Sequence, residues 1–140
     1  TCLLVSHDPA DTLPWADELL VLHRGQLVQQ GSPEQVYRQP ASEYVAALFG
    51  DYNRLEGPDL RALLAAAPRR PSPGPVLLVR PESLRLAPAG SPGAAGTVRA
   101  VRFLGSHYEV EVQLPATLLR VRLPAASVAP GEAVVVQLVE

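Results

Sequence analysis

The stretch "HYEVEVQLPATLLRVRL", residues 107–123, changes its chemistry at every second position. Tyr108, Val110, Val112 and Leu114 fall on one side, and Glu109, Glu111 and Gln113 on the other. A period of two belongs to an extended strand with one buried and one hydrated face. "TLLRVRL" then supplies a second strand, whose Arg120 and Arg122 alternate as Glu109 and Glu111 do. Acidic positions on one strand and basic positions on the next predict a solvated sheet face crossed by charge pairs.

The same period extends outward from this pair. "AVVVQLV" follows the turn Pro130-Gly131-Glu132 as another strand. Upstream, "GTVRAVRFLG" from Gly96 alternates imperfectly through Val98, Val101 and Phe103, which predicts a β-bulge, and Gly105-Ser106 forms the next turn. Residues 87–95 are a loop of Pro, Gly and Ala, and 76–79 and 83–86 are further short strands. Five or six short strands in about 65 residues predict a small antiparallel β-barrel of OB type.

Before residue 76 the period changes. "PRRPSPGP", residues 68–75, is a Pro-rich linker. Leu60, Leu63 and Leu64 mark a short helix ahead of it. Tyr44, Val45, Leu48 and Phe49 have helical spacing over 42–49, with Gly50 as the C-terminal cap. Ser32-Pro33-Glu34-Gln35 is a helix start: a capping hydroxyl, Pro at the first position, then acid and amide in the first turn. Pro40 stops that helix. Leu19–Leu22 and Gln26–Gln30 are strands joined by Arg24-Gly25 into a hairpin. Cys2–Val5 is a continuous apolar run, the pattern of a strand buried on both faces of a parallel sheet. Asp8-Pro9 opens a short helix that Pro14 breaks or kinks, and Trp15 reads as a packing residue on its face. The expected fold class is mixed α+β: an α/β tail with short helices, then the small barrel. The expected division is 1–50, a hinge and linker over 51–75, and 76–140.

Composition excludes several functions. The chain has 140 residues, 47% of them apolar, and a net charge of −2. That charge does not make the basic surface on which nucleic-acid binding rests. One cysteine, Cys2, allows no internal disulfide and fits a reducing compartment. No stretch approaches the roughly 20 apolar residues of a membrane-spanning helix. All 12 basic residues are arginine. A phosphate-binding P-loop needs a lysine, so this chain holds no nucleotide by that route. There is no Cys/His cluster for zinc, and no metal site is expected.

Three histidines remain. His7 stands just past the carboxyl end of the first apolar run, where α/β sheets place ligands. It can donate to an anionic oxygen and position a water, or it can be a solvent-facing loop residue; spacing alone leaves both open. Ser6, His7 and Asp8 form no serine-type triad, because neighbours on a strand point to opposite faces. His23 and His107 flank turns and read as exposed turn residues.

Taken in order, "LLVSHD", "ADELLVLHRGQLVQQGSPEQVYRQPASEYVAALFG", "VRPESLRL" and "VRFLGSHYEVEVQL" resemble the end of the nucleotide-binding domain of ATP-binding cassette (ABC) import ATPases, followed by their transport-associated OB (TOBE) domain. The matching positions in the first part are His7-Asp8, Ala16-Asp17, Gly25, Gln29, Gly31, Pro33, Tyr37 and Pro40, and "FGDYNRLEG" resembles the hinge into the accessory domain. Pro9 and Pro14 depart from the good helix formers usual after the histidine.

The resemblance implies that His7 is the switch histidine, which contacts the γ-phosphate and orders the attacking water. It implies that the P-loop, the signature motif and the acidic metal-binding strand lie upstream of Thr1. ATP and Mg would serve the intact protein, with no cofactor for this piece. The implied partners are integral-membrane permease subunits, a second ATPase subunit in a homodimer and a periplasmic or extracellular solute-binding protein, at the cytoplasmic side of the bacterial inner membrane. "FLGSHY" leans toward the iron(III) and polyamine subgroup. The alternative is a stand-alone OB module for a small anion or for nucleic acid. Against nucleic acid stand the alternating charges and the presence of only Phe103 and Tyr108 as aromatics in the barrel region. An independent hydrolase built on His7 and Asp8 would lack an oxyanion loop and a nucleophile elbow.

Overall fold

The computed structural model describes residues 1–67 and 74–139, in two compact units, Thr1–Tyr52 and Asn53–Glu140. Residues 68–73 of the expected Pro-rich linker lie outside the described residues.

The first unit contains α1 (Pro9–Thr12), β1 (Leu19–His23), β2 (Gln26–Gly31), α2 (Pro33–Arg38) and α3 (Glu43–Leu48). Each helix begins on a side-chain cap: Asp8 and Ser32, as expected from the sequence, and Ser42. Asp8 Oδ1 accepts from the Ala10 N–H at 2.9 Å, Ser32 Oγ from Gln35 at 3.3 Å and Ser42 Oγ from Val45 at 3.3 Å. Such caps satisfy N–H groups that have no partner within the helix. The β1–β2 hairpin turns on Arg24 (φ 51°) and Gly25 (φ 75°). Two successive left-handed residues make the turn whose twist suits antiparallel strands.

Leu19 and Val21 from β1 meet Val36 and Val45 from the helices in a small core, with Leu13, Ala16, Leu48 and Phe49 at its rim. The Gln29 amide ties the chain around Pro40 to this hairpin. Its Nε2 donates to the Gln39 carbonyl at 2.9 Å, and its Oε1 accepts from the Ala41 N–H at 2.8 Å. A side-chain amide carries one donor and one acceptor side by side, so it serves two backbone groups at once.

Two expectations fail in this unit. Cys2–Val5 is not a strand, and Leu3 and Val5 are 85% and 88% exposed. An apolar run becomes a buried strand only when neighbours pair with its backbone and cover its side chains, and none of the described strands does so. Trp15 is 81% exposed rather than packed. Helix α1 is a single turn ending at Thr12 ahead of Pro14, so no helical face reaches as far as Trp15.

The second unit contains β3 (Asn53–Glu56), α4 (Gly57–Ala65), β4 (Val76–Val79), β5 (Leu84–Pro88), β6 (Ala94–Phe103), β7 (Tyr108–Gln113), β8 (Leu118–Leu123) and β9 (Ala133–Leu138). Strands β5 to β9 form one antiparallel sheet in the order β5-β9-β6-β7-β8. Its outer strands β5 and β8 approach each other without pairing among the described residues, so the sheet is curled and barrel-like but open. Residues 53–56, expected to lie in the hinge, form a strand paired antiparallel with β4 from Asn53↔Val79 to Glu56↔Val76. Helix α4, expected from its leucines, buries Leu60 and Leu63 in the same core as Leu55, Val98, Val110, Val112, Leu119, Val121, Val134 and Val136. This fold is the expected mixed α+β class.

Strand β6 pairs with β9 from Ala94 to Thr97 and with β7 from Thr97 to Phe103, and the expected bulge falls between Val98 and Ala100. Gly96 sits near the changeover. A Cβ there would lie 2.7 Å from the Gln113 carbonyl oxygen, 2.7 Å from Val112 Cγ1 and 2.8 Å from Leu114 Cδ2. Only glycine lets the two strands come this close.

Two stability predictions follow from this packing. Gly96→Ala must push β6 off β7, and should lower the unfolding free energy of the second unit by about 1–3 kcal/mol, the usual range for overpacking. Gln29→Ala removes two hydrogen bonds from the first unit and should cost that unit about 1–2 kcal/mol. Urea titration followed by unit-specific NMR cross-peaks separates the two effects. Each variant should shift the midpoint of its own unit, and a midpoint unchanged in that unit contradicts the assignment.

Candidate functional site

The residues around His7 are arranged by local hydrogen bonds. Ser6 Oγ donates to Asp11 Oδ2 at 2.9 Å and accepts from the Asp8 N–H at 3.0 Å. Asp8 Oδ1 is engaged in capping α1. Both neighbours of His7 are therefore committed to the bend and the helix start, and the His7 imidazole is exposed between them. This geometry does not couple Ser6 to His7 as nucleophile and base, because its hydroxyl hydrogen points to Asp11. What it offers is an accessible imidazole on a backbone that is tied on both sides. Such a group can donate to an anionic oxygen brought to it.

The other two histidines are not simple exposed turn residues. The His23 ring stacks on Tyr44 with centroids 3.8 Å apart and planes 13° from parallel. The Tyr44 hydroxyl donates to the Leu22 carbonyl at 3.2 Å, so one tyrosine on α3 holds both the ring and the backbone of the hairpin end. His107 is half-buried; its Nδ1 lies 2.8 Å from Ser106 Oγ, and its Nε2 is buried with no hydrogen-bond partner among the described residues. Among the described residues, no group of three His, Cys, Asp or Glu side chains is placed to hold a metal ion.

The charged face of the second unit has the expected register, with Glu109 opposite Arg122 and Glu111 opposite Arg120. The carboxylates are engaged from the other side as well. Arg102 on β6 hydrogen-bonds Glu111 and stands 3.9 Å from Glu109, while Arg122 lies 3.6 Å from Glu82. The hydrogen bond to Glu111 and then the charge of Glu111 raise the Arg102 guanidinium further above its ordinary value, with a smaller contribution from Glu109. Arg102 was missed because its face depends on the bulge. Val98 and Val101 both point toward the core, which requires one extra residue between them, and that residue turns Arg102 outward beside the glutamates. Acidic and basic side chains are thus interspersed on this face.

Comparison with known proteins agrees with this architecture. The TOBE domain family matches residues 77–140, the stretch from β4 through β9. An Fe(3+) ions import ATP-binding protein of Pectobacterium atrosepticum is 29% identical over 99% of this chain and 42% of its own length. A sulfate/thiosulfate import ATP-binding protein of Gloeobacter violaceus is 35% identical over 83% of this chain and 33% of its own length. A spermidine/putrescine import ATP-binding protein of Borreliella afzelii is 28% identical over 84% and 37% respectively. The chain thus spans between a third and about two fifths of the length of these relatives. Residues 77–140 are a TOBE domain, and the chain is similar over most of its length to the C-terminal part of ABC import ATP-binding proteins, matching the end of their nucleotide-binding domain followed by this domain.

Proposed function

We propose that this chain is the C-terminal portion of the ATP-hydrolysing, energy-coupling subunit of a bacterial ABC import system. One observation carries the reading: the segment with His7, the hairpin and the capped helices precede a TOBE domain in one chain, and relatives matching 81–99% of that chain are import ATP-binding proteins. The TOBE domain is then a regulatory and subunit-contact module. The subunit works as a homodimer with integral-membrane permease subunits and a solute-binding protein, peripheral on the cytoplasmic face of the inner membrane. No described helix is long and apolar enough to cross a membrane, which is compatible with a peripheral subunit.

His7 is the residue we assign to catalysis, as the switch histidine. Its exposed imidazole and the tied bend that presents it are suited to donating to a terminal phosphate oxygen and to orienting an attacking water. Bound ATP would supply the phosphoanhydride that is cleaved. The rest of the nucleotide cradle is not made by these residues, which include no lysine. Magnesium belongs to the same proposal for the intact protein, and no residue of this chain is assigned to it. For the solute we propose the iron(III) or polyamine class, on the likeness of Phe103–Tyr108 to that subgroup and on relatives named for those imports.

The test is His7→Ala in the intact subunit. A preorganised donor to a developing charge is worth about 3–4 kcal/mol. ATP turnover should therefore fall by about two to three orders of magnitude, while ATP binding, measured by calorimetry without turnover, stays within a few-fold. Turnover close to that of the unaltered protein would remove His7 from the mechanism. The 140-residue chain by itself should hydrolyse no ATP.

A further inference from the structure

Strand β8 lies at the edge of the sheet. An edge strand presents a row of outward N–H and C=O groups, a template on which another extended chain can pair. In an antiparallel pair, residues alternate between those bonded to the neighbour and those facing away. The Asn53 side chain identifies the outward set on β8. Its Nδ2 donates to the Arg120 carbonyl at 2.7 Å, and its Oδ1 accepts from the Arg120 N–H at 2.8 Å. Arg120 therefore faces away from β7, as do Leu118 and Arg122 two residues to either side, while Leu119, Val121 and Leu123 face β7.

Four residues earlier, the Ala116 N–H donates to Asp59 Oδ2 at 3.0 Å. Asn53 and Asp59 are 5% and 2% exposed, two of the three buried polar side chains among the described residues. Both belong to the stretch from β3 into α4; Asn53 serves the outer side of β8, and Asp59 the turn that leads into it. The chemistry of Asn53 is that of a peptide group: donor and acceptor, side by side, at the middle outward position of the strand. Its own backbone meanwhile pairs with Val79 in the β3–β4 ribbon, so one residue joins the two sheets.

We propose that Asn53, with Asp59 holding the turn that leads into the strand, forms a polar lock on the β8 edge, which fills the position a strand from a second copy of this chain would use and so keeps β8 from pairing between molecules. A burial-driven contact alone would not need an amide at residue 53, whereas an edge lock does. Asparagine satisfies both backbone groups at once, and aspartate or leucine does not.

The test uses the full chain with Asn53→Ala, read by amide hydrogen exchange and sedimentation velocity against the unaltered chain under the same conditions. The Arg120 amide should exchange at least about tenfold faster, the loss expected for one buried hydrogen bond, while Val121, bonded to β7, stays within about twofold. The variant should also gain concentration-dependent association beyond that of the unaltered chain. Adding Leu118→Pro removes an outward N–H from the same edge and should abolish that gain. Equal acceleration of Arg120 and Val121 would mean that Asn53 only stabilises the unit, and overturns the lock. No gain in association, or a gain that survives Leu118→Pro, overturns it too. Should Asn53→Ala not fold, Asp59→Ala tests the lock at the turn into β8: the Ala116 amide should exchange at least about tenfold faster and association should rise as for Asn53→Ala, and an unchanged amide or no rise overturns the lock.

Discussion

The second unit depends on one extra residue in β6. Val98 pairs with Val112 and Ala100 with Glu111, so Arg99 has no counterpart on β7. Before the bulge, β6 runs with β9, and the Val98 N–H and C=O bond to Glu132 and Gly131 at 2.9 and 2.8 Å. After it, β6 runs only with β7. A bulge sharpens the local twist, and here it lets a single ten-residue strand belong to both halves of a curled sheet. The same residue reverses the parity of the side chains. Val101 points inward with Val98, and Arg102 turns out to meet Glu109 and Glu111. Core and charged face are thus set by one irregularity. The lack of a side chain at Gly96 is part of the same device, because near the point where β6 changes partner a Cβ would meet the β7 strand at under 3 Å.

The two units solve the burial problem differently. In the second, three layers of apolar side chains, from the sheet, from Leu55 on β3 and from Leu60 and Leu63 on α4, enclose one core. Among the described residues, the first buries Leu19, Val21, Val36, Val45 and Ala46 and leaves Leu20, Leu22 and Leu27 more than half exposed. A unit this small has too much surface for its volume. Its order therefore rests more heavily on polar fastening: three helix caps, the Gln29 amide across the Pro40 turn, and Tyr44 against both the His23 ring and the Leu22 carbonyl.

These differences account for what could be read from the sequence. Strands β5 to β9 were legible because the period of two, the turn residues and the imperfect alternation at Val98–Val101 are local signals. Helices α1 and α2 were legible because Asp8 and Ser32 are caps and Pro9 and Pro33 suit a first turn, and α3 from the helical spacing of Tyr44, Val45, Leu48 and Phe49. Strand β3 was not, because "NRLE" carries one apolar residue and becomes a strand only by pairing with β4 more than twenty positions away. The run Cys2–Val5 failed for the opposite reason: its pattern suits a buried strand, but burial is supplied by neighbours, not by the run itself. At the candidate site, the place of His7 beside a capped helix was visible in three adjacent residues. The His23–Tyr44 stack and the role of Arg102 were not, since one links positions 21 apart and the other depends on the parity change at the bulge.

The arrangement at His7 bears on the kind of chemistry an isolated imidazole can serve. In a general-base mechanism, a histidine needs an orienting partner on one nitrogen and a nucleophile on the other. Ser6 and Asp8 are the nearest residues able to fill those roles, and both are engaged elsewhere, in the bend and in the cap of α1. Those same bonds restrain the backbone that carries the ring. An exposed side chain on a backbone restrained in this way can contact a charge delivered from outside. Electrostatic stabilisation of that kind rewards a donor already in position, because no reorganisation is required when the charge develops. The contact role we propose for His7 is compatible with this local hydrogen bonding.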